Sequence, residues 1–339
     1  METIIVNEAA VDIVCDVNGE AINGTISIQP TENILTDNLI ANNDIVIDID
    51  QTDTPVVDEP RYKNLVLSGG GAKGISHIGA IKKLIDEKLL DLSKLKSVAG
   101  TSVGSILGIL IVLGFTIDEI WDFIYCLDIN NLVKPDFLMF LSKCGIESGR
   151  IIYNLIEEII TKKTNIKHIN FRQLYEITKI HFIVVGACLT TKETVYYDYV
   201  NTPNFKVSMA IRISIGIPGF FTPITIGVNK YVDGGVLNDY PMNLYDDKLD
   251  ETIGIRISDH YNTDYKYPEE YFTAIVNLFL YSYHQKDGNQ YENNTITVTN
   301  NIKSINVFSF DVDNNTKQQL YDHGVEACEK FIEAKRNIN

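Results

Sequence analysis

The chain has 339 residues, 45% of them hydrophobic, which is enough for one large or two ordinary globular domains. Its formal net charge of -16 is unevenly distributed: residues 1–60 hold 13 acidic and no basic side chains, whereas residues 61–339 hold 32 acidic and 29 basic ones. Because no basic field is available for a phosphate backbone, we expect no nucleic-acid partner.

The acidic N-terminal segment, residues 1–60, alternates apolar and polar residues, as in DIVIDID. Weak strands and disorder both fit that pattern, and the high charge favours a disordered, mobile segment. The first residues lack the basic and unbroken apolar regions of a secretory signal. The longest apolar run, from Val103, is strongly apolar for only about 14 residues, which is short for a membrane span.

The five cysteines are widely spaced, odd in number and include no CxxC pair. This usage predicts free, mostly buried thiols in a reducing compartment rather than a disulfide framework. Together with the missing signal and membrane span, it predicts a cytoplasmic protein that is at most peripheral at membranes.

From residue 61 onward, short apolar strands alternate with helical patterns. NLVLS and LKSVAG predict strands, Ile75 to Leu90 predicts a helix, and Val103 to Phe115 predicts a buried helix that is apolar all round. The alternation predicts a three-layer α/β domain with a mainly parallel sheet over residues 61–339. Further helices are predicted at 117–127, 150–161, 171–177 and 316–335, and further strands at HFIVVGACL, TVYYDYV, KYVD, TIGIRIS and INVFSF.

One serine, Ser102, stands between Gly100 and Gly104, where a predicted strand meets the buried helix. In a G-x-S-x-G turn the hydroxyl is exposed above the sheet, and glycines flank it because a Cβ would collide with neighbouring backbone. The helix behind the serine points its positive dipole end at any negative charge that forms there. A plain connecting turn is the alternative, and the strand and helix on either side favour a nucleophile.

The glycine-rich loop GGGAKG also joins a strand to a helix. A dinucleotide fingerprint fits its glycine spacing but lacks the acidic residue after a second strand, and a P-loop fails because Ile75 and Ser76 follow the last glycine. The third interpretation is an oxyanion hole, in which the amides of Gly70 and Gly71 stabilise a tetrahedral intermediate. The loop consists of Gly69, Gly70, Gly71, Ala72, Lys73 and Gly74.

An acyl-transfer serine needs a base, and Asp233 is the candidate. It ends the predicted strand KYVD and precedes Gly234 and Gly235, which allow close approach of neighbouring backbone. Partial burial would raise the pKa of this carboxyl group and improve it as a base. His260 is the alternative base, because it follows in the chain order of a Ser-Asp-His triad, whereas we expect His77 to have a packing role.

GGGAKG, GTSVG and DGG, in this order and at these separations, resemble the motifs of the patatin-like phospholipase family. SIGIPGFFTPI, with Pro218 and Pro223, is similar to the family's segment before the aspartate strand, and Asn238 and Pro241 stand where the family often has them. The resemblance covers residues 64–245 and leaves the C-terminal third unmatched. It departs mildly at Lys73, where the family often has arginine, a cation with a planar fork that lysine lacks.

This resemblance implies a patatin-like fold and a serine lipid acyl hydrolase of the phospholipase A or lysophospholipase type. It implies a dyad without histidine, with Ser102 as nucleophile, Asp233 as proton acceptor and glycine-loop amides as oxyanion donors. The implied substrate is a lipid, with phospholipid favoured, so transient contact with a membrane surface is expected. Phe220 and Phe221 would either line an acyl-chain groove, touch lipid or pack in the core.

No cofactor or metal site is indicated by the sequence. DVDNNTKQQLYD has a partial likeness to an EF-hand loop, but Thr316 occupies the glycine position and Asp322 replaces the bidentate glutamate, so we expect a helix cap instead. Two other functions stay open: a non-lipid esterase with a Ser-Asp-His triad, and an idle scaffold that binds a basic partner through its acidic segment.

Overall fold

The computed structural model describes residues 60–259, 274–275, 290–300, 302, 309 and 311–337, together with the backbone of 13–15 and 21–23. In the N-terminal segment, strands β1 (Ile13–Cys15) and β2 (Ala21–Asn23) pair antiparallel. The rest of that segment lies outside the described residues. Disorder over residues 1–60 therefore stays a prediction, and so does the domain boundary at residue 61.

A mixed, mainly parallel sheet forms the centre of the described fold. Its strands and those beside it are β3 (Asn64–Leu67), β4 (Ser97–Thr101), β5 (Gly145–Glu147), β6 (His181–Cys188), β7 (Glu193–Tyr197), β8 (Gly219–Phe221), β9 (Ile224–Ile226), β10 (Asn229–Asp233), β11 (Thr252–Asp259) and β12 (Thr295–Asn300). Five strands run parallel in the spatial order β12, β11, β3, β4 and β6. Strands β7 and β10 pair antiparallel with β6, β9 pairs antiparallel with β10, and β5 and β8 form a separate parallel pair.

Helices connect these strands and cover the sheet. They are α1 (Ser76–Asp86), α2 (Val103–Val112), α3 (Ile117–Cys126), α4 (Phe137–Lys143), α5 (Arg150–Thr164), α6 (Phe171–Thr178), α7 (Val207–Ser214), α8 (Gly235–Asn238) and α9 (Asn314–Arg336). Helix α2 packs against β4 and β6, and α1 packs against α9. Eight of the ten residues of α2 are buried, as its uniformly apolar sequence predicts.

Alternate residues of the central strands belong to two separate cores, because successive side chains of a strand point to opposite faces. Leu65 and Leu67 of β3 pack into the large core beneath the helices. Val66, between them, packs with Met242 and Tyr245, which cover the other face. The predicted α/β class with a mainly parallel sheet is therefore confirmed.

Several elements differ from the sequence prediction. Helices α4, α7 and α8 and strands β5, β8, β9 and β12 were not predicted, and α4 is unusual in that it does not bury its apolar residues. The predicted strand INVFSF lies outside the described residues apart from Ser309. The expected cap of the last helix is confirmed, since the Asp313 carboxylate accepts a hydrogen bond of 2.7 Å from the Thr316 amide.

The cysteine prediction is only partly confirmed. Cys188 and Cys328 are free and buried, and Cys144 is free but exposed. Cys126 is disulfide-bonded, so the prediction that all five thiols are free is wrong at this position. The spacing of cysteines along a chain does not reveal which of them meet in the fold, and for that reason the sequence could not show this bond.

Candidate active site

The sheet brings together the ends of two strands that are far apart in the sequence. Strand β6 pairs Thr101, the last residue of β4, with Val185, and it pairs Asp233, the last residue of β10, with the next residue, Gly186. The residue after Thr101 is Ser102. The register of β6 therefore places the predicted nucleophile and the predicted base side by side.

Ser102 has a strained backbone conformation at the start of α2, with φ 53° and ψ -125°. A residue other than glycine adopts this region at a cost of roughly 1–3 kcal/mol, and it does so only where the surroundings hold it. Here the Ser102 amide donates to Ser214 Oγ at 2.8 Å, while the Ser102 carbonyl accepts from the Ser105 hydroxyl at 2.6 Å. Both hydrogen bonds are buried and fix the turn.

The two glycines that flank the serine lie against backbone, as predicted. A Cβ on Gly100 would come 2.7 Å from the Ser105 nitrogen, and a Cβ on Gly104 would come 2.7 Å from the Ser68 carbonyl oxygen. Contacts that short are not tolerated, so neither position accepts a side chain. This close packing holds α2 tightly against β3 and β4.

Asp233 is buried beside the serine and accepts two hydrogen bonds. One comes from the Ser102 hydroxyl and the other from the Gly235 amide, at 2.8 Å. The pKa of Asp233 is raised from 3.8 to about 7, mainly by burial and in addition by the nearby charge of Asp239, and the two hydrogen bonds oppose this rise only in part. The burial expected to improve this carboxylate as a base is therefore present.

The glycines after Asp233 have distinct roles in the structure. Gly234 lies against the backbone of Val185, which a Cβ at Gly234 would overlap. Gly235 begins α8 and supplies the amide that binds Asp233. The predicted close approach is thus observed at Gly234, and Gly235 orients the carboxylate.

The glycine-rich loop turns sharply beside Ser102. Gly70 and Gly71 have φ values of 150° and 56°, which side chains rarely adopt, and a short 3-10 turn starts at Gly71. The Gly69 amide donates to the Asp239 carbonyl at 3.2 Å. The amides of Gly70 and Gly71 form no hydrogen bond with other described residues. Ala72, Lys73 and Gly74 complete the turn, and the Lys73 side chain is buried.

A cavity of about 150 Å³ opens from the serine into the space between α2, α3 and α5. Ser102, Gly71 and Gly74 line it, and aliphatic and aromatic side chains form nearly all of the remaining wall. Phe221 lines this cavity, whereas Phe220 is buried and packs edge-on against the ring of Phe221. Both rings therefore belong to the core, and only Phe221 also borders the cavity.

The histidine alternatives have different outcomes. His77 is buried, and its Nε2 lies 3.0 Å from the Ser68 carbonyl oxygen, so it has the expected packing role. Burial lowers the pKa of His77 to about 4, which keeps its ring neutral. His260 lies outside the described residues, so the triad that it would complete stays a prediction.

Two residues near the site were not predicted from the sequence. Ser214, the last residue of α7, accepts the Ser102 amide, and Asp239 contacts the glycine loop at Gly69. Asp239 gave a weak signal, since it follows DGGVLN directly. Ser214 gave none, because the contact depends on where α7 ends in space.

A mainly parallel α/β fold with a serine on a strained strand-to-helix turn defines the class of α/β ester hydrolases. A model of the patatin-like phospholipase family matches residues 65–244, more than half of the chain. The chain belongs to the patatin-like phospholipase family, and the predicted resemblance is confirmed.

Individual relatives agree with this assignment. The chain is 31% identical over 289 residues to an uncharacterised protein of Acanthamoeba polyphaga mimivirus, a match that covers 81% of this chain and 95% of that protein. It is 28% identical over 251 residues to a protein of invertebrate iridescent virus 6 named a probable lipid hydrolase, covering 72% and 80% of the two chains. VipD from Legionella pneumophila has a similar fold, with a TM-score of 0.52 and 16% identity over 81% of this chain and 67% of VipD.

Across the described residues, every helix is too short or too polar to cross a membrane.

Proposed function

We propose that this protein is a serine lipid acyl hydrolase of the phospholipase A or lysophospholipase type, with Ser102 as nucleophile and Asp233 as the base. One observation carries the proposal: the hydroxyl that hydrogen-bonds the buried carboxylate opens onto an apolar cavity. A reactive group in the wall of such a cavity suits an ester with a long hydrocarbon chain.

In the first half of the reaction, Ser102 Oγ forms a bond to the ester carbonyl carbon while its proton passes to Asp233. The resulting tetrahedral intermediate carries a negative oxygen, and the Gly70 and Gly71 amides are the proposed donors to it. When the intermediate collapses, the bond to the alcohol oxygen breaks. The alcohol leaves with the proton from Asp233, and the acyl group stays on Ser102.

In the second half, water attacks the acyl-enzyme and gives a proton to Asp233. The bond between Ser102 Oγ and the acyl carbon breaks, the serine recovers a proton, and the free fatty acid departs. The pKa of about 7 at Asp233 suits both halves, because the group must accept and return a proton near neutral pH.

The apolar cavity distinguishes this proposal from the two other functions. A non-lipid esterase has no use for a long apolar wall, and an idle scaffold does not need a strained serine hydrogen-bonded to a buried carboxylate. The 28% identity to the protein of invertebrate iridescent virus 6 that is named a probable lipid hydrolase gives further support to a lipid substrate.

The test is labelling with a fluorophosphonate probe, which reacts quickly only with an activated serine. We expect wild-type protein to be labelled and Ser102→Ala to lose both labelling and the release of fatty acid from phospholipid. The chain offers a matched control in Ser93, an exposed serine whose hydroxyl donates to Asp91 at 2.7 Å. Ser93→Ala should keep full labelling and activity, and labelling that persists in Ser102→Ala would contradict the proposal.

A further inference from the structure

Helix α4 turns its apolar side chains away from the protein. Phe137 is 77% exposed, Leu138 80%, Phe140 46% and Leu141 89%. At 100° per residue these four side chains fall within an arc of about 160°, and the half-buried Met139 lies on the opposite side. A surface helix normally buries its apolar stripe, so the orientation of α4 is inverted.

The segments on both sides of α4 adjoin the apolar cavity: residues 129–132 precede the helix, and β5 begins two residues after its end. Leu132, shortly before the helix, lines the cavity. The Asp136 amide donates to the Ile146 carbonyl of β5 at 2.6 Å, and β5 pairs with β8 so that Glu147 lies opposite Phe221, another cavity residue. Helix α4 is therefore held between two segments that adjoin the cavity lined by Ser102.

The charge around α4 differs in sign from that of the whole chain. Lys134 precedes the helix, Lys143 is its last residue, both lysines are exposed, and Asp136 is the single acid between them. The Asp136 carboxylate accepts the Leu138 amide at 2.9 Å as the helix cap. Residues 133–144 thus carry a net positive charge in a chain of net charge -16. We call Lys134, Phe137, Leu138, Phe140, Leu141 and Lys143 the α4 patch.

We propose that the α4 patch binds the lipid surface from which the protein takes its substrate. The four apolar side chains enter the boundary between head groups and acyl chains, and the two lysines contact anionic head groups. This inference rests on the proposed lipid hydrolase function and adds the surface through which that function reaches an aggregated substrate.

A second copy of the chain fits the α4 patch less well than a lipid surface does. The four side chains expose roughly 500 Å² together, less than the 800 Å² or so that each partner buries in a standard protein interface. A patch of a few hundred Å² on a monomer marks an interaction site, and insertion into lipid needs no complementary protein shape.

The experiment measures binding of Ser102→Ala protein to vesicles by sedimentation, so that no lipid is consumed. On phosphatidylcholine vesicles containing phosphatidylserine, adding Leu138→Asp and Leu141→Asp should lower the partition coefficient at least tenfold. Lys134→Gln with Lys143→Gln should lower it several-fold, and added salt should remove that difference because it screens exposed charges.

The matched control is Ile177→Asp with Val200→Asp, which also exchanges two exposed apolar side chains for carboxylates. These residues are 51% and 61% exposed and lie near the start of β6, at the opposite end of the strands from Ser102. The control should change vesicle binding less than twofold. Phe137→Ser supplies a second, uncharged α4 variant, and circular dichroism confirms that each variant is folded.

An equal loss in the α4 and control variants, or no loss in the α4 variants, would overturn the inference. So would gel filtration showing a wild-type dimer that the Leu138 and Leu141 substitutions dissociate, since a second copy would then occupy the patch. The proposed function is assessed separately, through hydrolysis of a monomeric nitrophenyl ester by the wild-type enzyme. Turnover without vesicle binding would therefore contradict the inference about the α4 patch, whereas vesicle binding without turnover would contradict the proposed function.

Discussion

The chain contains two serine–aspartate pairs in very different surroundings. Ser93 donates to Asp91 at the exposed start of a 3-10 turn, where the carboxylate also accepts the Ser93 amide. Ser102 donates to Asp233 inside the protein, beside a glycine loop and an apolar cavity. The hydrogen bond is the same in kind, and what differs is burial, which raises the pKa of Asp233 and suits this carboxylate to its proposed role as the base. A hydroxyl beside a carboxylate is therefore not enough to make a nucleophile.

The largest expected difference between the pairs is in catalysis. Asp233→Asn should lower the turnover number on the order of a thousandfold or more, because the amide cannot accept the serine proton. Asp91→Asn should leave it unchanged. Steady-state hydrolysis of a nitrophenyl ester measures both variants.

The same assay decides between a dyad and a triad. His260→Ala should cost little if Asp233 is the base. A large loss at His260 with near-normal substrate binding would place the protein in the triad class, whereas a small loss at Asp233 would contradict the assignment of the base.

Burial of Asp233 should also lower the free energy of unfolding, so the substitution that lowers turnover should raise stability. Because its pKa is raised to about 7 in the folded protein, the contribution of this group is fully present below pH 3.8 and is lost as the pH rises through 7. The complete loss corresponds to about 4 kcal/mol. Asp233→Asn should therefore gain stability relative to wild type between pH 4 and pH 8, as measured by urea unfolding. A difference that is independent of pH would show that the pKa of Asp233 is not raised.

The activity of the wild-type enzyme should depend on the ionisation of Asp233. The base form is the carboxylate, so kcat/KM should rise about tenfold per pH unit below 7 and level off above it. Initial rates on an uncharged soluble ester over pH 5 to 9 test this. A plateau that extends below pH 5 would indicate a base with an ordinary carboxylate pKa.

The smallest expected effect concerns the strained turn at Ser102, a feature of the buried serine–aspartate pair that we expect to help orient its hydroxyl. Ser214→Ala removes the acceptor of the hydrogen bond from the Ser102 amide. We expect kcat to fall about tenfold with little change in KM, because the Ser102 hydroxyl is then less well oriented. Ser214→Thr keeps a hydroxyl and should recover part of kcat if it folds. A change in KM alone would assign Ser214 to substrate binding instead.

The sequence by itself determined the motifs and most of the helices and strands that carry them. Local hydrophobic patterns predict helix α2 and the short strands β3 and β4. Steric needs that only glycine satisfies explain positions 100, 104 and 234. It did not determine the outward orientation of α4, whose apolar residues look like those of a buried helix, or the disulfide bond of Cys126.

Only the tertiary structure decided how the site is assembled. Asp233 lies 131 residues after Ser102 in the sequence, and the two meet because β6 pairs their strands at adjacent residues. Elements distant along the chain also bury Asp233, bring Ser214 to the Ser102 amide and form the cavity between α2, α3 and α5. Sequence patterns report the local preferences of the backbone, whereas a pKa, a register and a cavity depend on what packs alongside, and that is fixed only when the whole domain folds.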